Sequence, residues 1–138
     1  MTPESLVATR ETCMRLKEKG FTQDTHFCWA EPYRYQTDRT PVVYPRFLGG
    51  QHAGSPPREY CAAPTLAEVL EQLPDCKLFK SHTGRPTIAG YLYVSKVNHI
   101  GQPPYRVEYI NNGGIMLESV AHDSPAEAAA LLWEKVNR

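Results

Sequence analysis

A chain of 138 residues has the length of one domain, and a polypeptide of that size buries about two-thirds of its unfolded surface, enough for a core without disulfide or metal staples. Hydrophobic residues make up 41% and charged residues 22%, a globular balance that excludes a disordered chain. Fifteen basic side chains offset fifteen acidic ones, which argues against a protein that works by bulk charge, as a histone-like DNA binder does.

The first residues, Met1-Thr2-Pro3-Glu4, lack the basic and apolar regions of a secretory leader. The longest apolar run, Ala128 to Trp133, is far too short to span a bilayer. Cys13, Cys28, Cys61 and Cys76 include no Cys-x-x-Cys pair and read as reduced thiols. A cytoplasmic protein without membrane attachment is the expectation.

In chain order, Thr2-Pro3-Glu4 is a cap followed by proline and predicts a helix over Thr2 to Lys19, with Leu6, Cys13 and Leu16 as its sparse apolar positions. Gly20 is placed to stop it, with Lys17 and Lys19 in the last turn. His26 to Ala30 predicts a short strand, Glu31 to Thr40 a polar loop, and Pro41 to Leu48 a strand that Pro45 confines to a sheet edge or a bulge. Gly49 to Pro57 is the most loop-like stretch. Thr65 and Glu68 form a capping box for a second helix, whose apolar stripe of Leu66, Val69, Leu70 and Leu73 ends at Pro74. Lys77 to Phe79 is a short strand candidate, followed by a turn at Gly84-Arg85-Pro86.

The last third is the most consistent locally. Ala89 to Asn98 alternates, with Leu92 and Val94 on one face and Tyr91 and Tyr93 on the other. His99 to Pro104 holds Gly101 and Pro103-Pro104 and is a connection. Tyr105 to Ile110 alternates again, and Asn111-Asn112-Gly113-Gly114 predicts a hairpin with a type I′ turn before a returning strand from Ile115 to Val120. Ser124, Pro125 and Glu127 open a helix over Ser124 to Asn137 by a capping box with proline at the first position, and Ala129, Leu132, Trp133 and Val136 make its buried stripe.

The resulting order, α, β, β, α, β, β, β, β, α, predicts an α+β fold: an antiparallel sheet with helices packed on one face in two layers, closing in a β-β-β-α unit. It is read as one domain over residues 1–138. Residues 1–60 supply an N-terminal helix, short strands and loops, and residues 61–138 an α-β-β-β-β-α core.

Ala63-Pro64-Thr65-Leu66 leading to Leu73-Pro74, and Asp123-Ser124-Pro125-Ala126-Glu127-Ala128-Ala129 opening a Leu/Trp-rich helix, give a stretch over roughly Tyr60 to Arg138 that resembles small bacteriophage, prophage and other mobile-element proteins of bacteria. That resemblance implies a phage or prophage setting and supplies no activity. The strand-strand-strand-helix order is also similar to the double-stranded RNA-binding domain, but that family opens its last helix with lysines where this chain has Asp123 and Glu127. Antitoxins with a partial ribonuclease-H fold share the passage from hairpin to helix, and they usually add a DNA-binding tail. Fold order alone carries no function.

The functional signal is in the charge pattern. Between Asp75 and Glu108 there is no acidic residue, while Lys77, Lys80, Arg85, Lys96 and Arg106 fall there with His82 and His99. Interleaved with Tyr91 and Tyr93, this block is a candidate surface for a nucleic acid or an acidic protein; the bland alternative is a solvated face whose carboxylates are distant only in sequence. An open sheet face carrying tyrosines can seat a partner protein or stack bases, unless other segments cover it. His26 and Cys28, with Cys61 and Cys76, fall short of the paired spacing of a zinc site. No nucleophile elbow or phosphate-cradling loop is present. The expectation is a non-enzymatic binding protein with no cofactor or metal, docking on a host or phage protein, with a nucleic-acid binder using Lys77 to Arg106 as the alternative.

Overall fold

The computed structural model describes residues 3–32, 40–45, 58–80, 88–98 and 100–137. Helix α1 spans Arg10–Glu18, and strands β1 (Phe27–Ala30), β2 (Val42–Pro45) and β3 (Glu59–Ala62) follow. Then come α2 (Leu66–Gln72), β4 (Cys76–Phe79), β5 (Ile88–Lys96), β6 (Tyr105–Ile110), β7 (Met116–His122) and α3 (Pro125–Val136). The fold is α+β, with antiparallel pairing throughout and α3 packed on the sheet that precedes it.

Two sheets replace the one expected. The larger has the order β4-β5-β6-β7, and the smaller the order β2-β1-β3. Strand β3, to which the sequence reading assigned no element, is four residues set between prolines. It exists because Trp29 and Cys28 of β1 offer it a pairing edge at Cys61 and Ala62. Strand β2 lies at the edge of its sheet, where Pro45 needs no ladder donor.

The first helix is also shorter than expected. Pro3–Leu6 is a 3₁₀ turn, Val7 bridges Thr65, and α1 starts only after Thr9, whose side chain accepts from the Thr12 N–H. Val7 and Ala8 are buried, and that burial overrides the local propensity to stay helical. At the other end Gly20 takes φ +87°, with Phe21 N–H bonded to Leu16 O at 2.9 Å and Gly20 N–H to Lys17 O at 3.2 Å, a Schellman stop.

Helix α2 carries the full capping box: Thr65 N–H donates to Glu68 Oε1 at 3.0 Å and Thr65 Oγ1 accepts from Glu68 N–H at 3.4 Å. Helix α3 does not. Ser124 Oγ accepts from Glu127 N–H, but the Glu127 carboxylate turns away to Thr9 N–H at 2.6 Å and to the Thr9 and Thr12 hydroxyls. The Ser124 N–H bonds His122 Nδ1 at 3.0 Å instead. One buried carboxylate on the first turn of α3 thus caps the start of α1.

The hairpin between β6 and β7 forms, but not with a type I′ turn. Neither Asn112 nor Gly113 has positive φ; Gly114 does, at +79°. Asn111 Oδ1 takes the N–H groups of Gly113 and Ile115 at 2.9 and 2.8 Å, and this side-chain cap holds a wider loop.

One core joins α1, β3, α2, β6, β7 and α3, with Leu16, Val69, Val107, Tyr109 and Leu132 fully buried. Helix α3 lies on β6 and β7, and α2 lies against α3. Trp133 meets Phe21 edge-to-face at 5.0 Å, and Tyr109 Oη donates to Pro74 O at 2.7 Å. Among the described residues no helix is long and apolar enough to cross a membrane.

Candidate docking face and groove

Strand pairing decides which side chains share the outer face of the larger sheet. Tyr91 sits opposite Cys76 and Ile110, Tyr93 opposite Glu108, and Ser95 opposite Arg106. Leu78 lies opposite Ala89, and Met116 opposite Ile110. Side chains alternate along a strand, so all of these point away from α3. Leu92, Val107, Tyr109 and Val120 occupy the helix side; Leu92 packs against the core, while Val94 at the far end is exposed.

The outer face exposes four large apolar or aromatic side chains. Leu78 is 62% exposed, Met116 56%, Tyr93 54% and Tyr91 37%. Beside them Glu108 is buried, and Arg106 Nε is buried without a hydrogen-bond partner among the described residues. A buried N–H with no acceptor is uncommon in a folded protein.

The register divides the predicted basic block. Arg106, Tyr91 and Tyr93 share the outer face. Lys77 and Lys96 point to the helix side, where Lys77 Nζ lies 6.0 Å from the Phe79 ring centroid and Lys96 Nζ 5.5 Å from that of Tyr105. Lys80 is exposed just beyond β4. His82, Arg85 and His99 lie outside the described residues, as do most of the two loops expected in residues 31–40 and 49–57. Leu78 and Met116 were missed, because one strand-length stretch without a clear alternation does not tell its two faces apart.

A second feature is a groove of about 1370 Å³ where the N-terminal 3₁₀ turn, the start of α1, β2 and the β7–α3 junction meet. Trp29, Val42 and Tyr105 supply apolar wall, and Glu4, Glu11 and Asp123 are carboxylates on its exposed margin. Arg10 is the one lysine or arginine among its described lining residues, and it lies 3.8 Å from Glu11. These residues come from widely separated parts of the chain, so no local signal announced the groove.

The cysteines take ordinary places. Cys28 and Cys61 lie on neighbouring strands with opposite facing, and Cys76 is exposed on the other sheet. Cys13 Sγ on α1 donates to Ala8 O at 3.5 Å in the core, and the neighbouring Cys61 together with burial pushes the Cys13 thiol up. Among the described residues no three His, Cys, Asp or Glu side chains stand together as a metal would need. No protein family, curated protein or solved structure matches the chain.

Proposed function

We propose that this is a small non-enzymatic binding protein that docks on another protein through the outer face of the β4–β7 sheet. One observation carries the reading: four large apolar or aromatic side chains, Leu78, Tyr91, Tyr93 and Met116, are exposed on a face that no helix among the described residues covers. Aromatic and methionine side chains on a rigid sheet are the groups that anchor protein interfaces. The likeness of residues 60–138 to small phage and prophage proteins supports a host or phage protein as that partner, in a reducing cytoplasm that suits free thiols.

The test pairs affinity capture with a variant carrying Tyr93→Glu and Met116→Glu, both on exposed positions. A defined protein retained by the native chain and lost by the variant supports the reading. A self-associating species dissolved by the same substitutions makes the partner a second copy. Retention that ignores the substitutions overturns the proposed face. A gel shift on oligonucleotides at about 50 mM salt, where electrostatic binding is strong, selects the nucleic-acid alternative, whose lysines Lys77 and Lys96 lie on the opposite side from the tyrosines.

A further inference from the structure

We infer that the groove between the 3₁₀ turn, β2 and the β7–α3 junction is a second binding site, for an extended polypeptide segment that carries an arginine or lysine among apolar residues. The groove lies away from the outer sheet face and stands or falls independently of it. Its size comes first: about 1370 Å³ exceeds the roughly 300–1,000 Å³ of a small-molecule pocket and suits several residues of chain.

Charge selects the sign of the occupant. Among the described lining residues, Glu4, Glu11, Asp123 and Glu127 stand against the guanidinium of Arg10. Glu127 is committed to Thr9 and Thr12, and Arg10 is within 3.8 Å of Glu11. Glu4 and Asp123 remain as exposed carboxylates on the margin of an apolar wall, an arrangement that repels an acidic ligand and attracts a basic one. Trp29 adds a ring on which a cation can rest, while the Tyr105 ring already has Lys96 Nζ 5.5 Å from its centroid.

The backbone of such a segment also has a donor to meet. His122 lines the groove, and its Nδ1 is occupied in accepting the Ser124 N–H. A neutral imidazole that accepts at Nδ1 carries its proton on Nε2. That proton is suited to a peptide carbonyl.

The test uses two short capped peptides, acetyl-Ser-Leu-Arg-Leu-Ser-amide and the same peptide with glutamate in place of arginine, titrated against the full chain at low salt while following tryptophan emission. The arginine peptide should give a saturable change that is lost in Trp29→Phe, and the glutamate peptide should bind at least about tenfold more weakly, as a 1.4 kcal/mol difference implies. Replacing the exposed pair by Glu4→Gln and Asp123→Asn should weaken the arginine peptide by a similar factor without changing the melting temperature. Equal binding of both peptides, indifference to the double substitution, or no saturable change up to about 1 mM, where even a weak specific contact registers, would overturn the inference.

Discussion

At the scale of single residues, Tyr109 shows how burial fixes a protonation state. Its phenol is enclosed by the core and donates to Pro74 O, and burial, with the nearby Asp75 and Cys76, pushes its pKa from 10.0 up to about 12. The folded state therefore favours the neutral phenol. The corresponding stability is fully present below pH 10 and is lost as the pH rises towards about 12. Tyr109→Phe should lower stability by about 1 kcal/mol at neutral pH, the worth of one hydrogen bond. It should also flatten the alkaline fall of the unfolding free energy, followed by urea titration between those two pH values. An unchanged alkaline slope would assign that fall to other groups.

Glu134 behaves in the opposite sense. Its hydrogen bond to Arg15 at 2.9 Å, supported by Lys19 at 3.1 Å, holds the carboxylate below its usual range. The bridge fastens α1 to α3 at the surface, where ion pairs contribute little because solvent screens them.

At the scale of elements, the larger sheet makes room for Phe79 of β4 and Leu117 of β7 by leaving one position of β5 without a side chain. A Cβ at Gly90 would stand 2.8 Å from Leu117 Cδ1 and 2.9 Å from Phe79 Cε2. Gly90→Ala should therefore cost about 1–3 kcal/mol through overpacking, read as a lower denaturation midpoint with an unchanged slope. Stability equal to that of the native chain would mean that the two side chains move aside freely.

The elements legible in the sequence were those whose signals are local. The Thr65–Glu68 box, the Gly20 stop, the alternation of Tyr105 to Ile110 and the stripe of Leu132 and Trp133 all depend on residues within a turn or two of each other. What the sequence did not disclose depends on partners far away. Val7 breaks the first helix because Thr65 pairs with it, β3 exists because β1 offers it an edge, and Glu127 leaves its own cap for Thr9. The candidate sites divide in the same way. Tyr91 and Tyr93 followed from a period of two, whereas the groove needed five separate segments brought together.

At the scale of the whole molecule, the core turns on Trp133, which reaches from α3 to Phe21 just after α1. Trp133→Ala should cost about 3–5 kcal/mol, the usual penalty for emptying so large a buried volume. A loss below about 1 kcal/mol in denaturant titration, the scale of a surface substitution, would show that the side chain is not part of that core.

The Glu127 carboxylate has a consequence for the order of events during folding. It supplies the acceptor for Thr9 N–H across 118 residues. Until α3 docks, Thr9 N–H lacks this acceptor and α1 has β3 but not α3 to cover its apolar side. The larger sheet pairs strands that are near in sequence, so its hairpins can form before the two ends of the described chain come together.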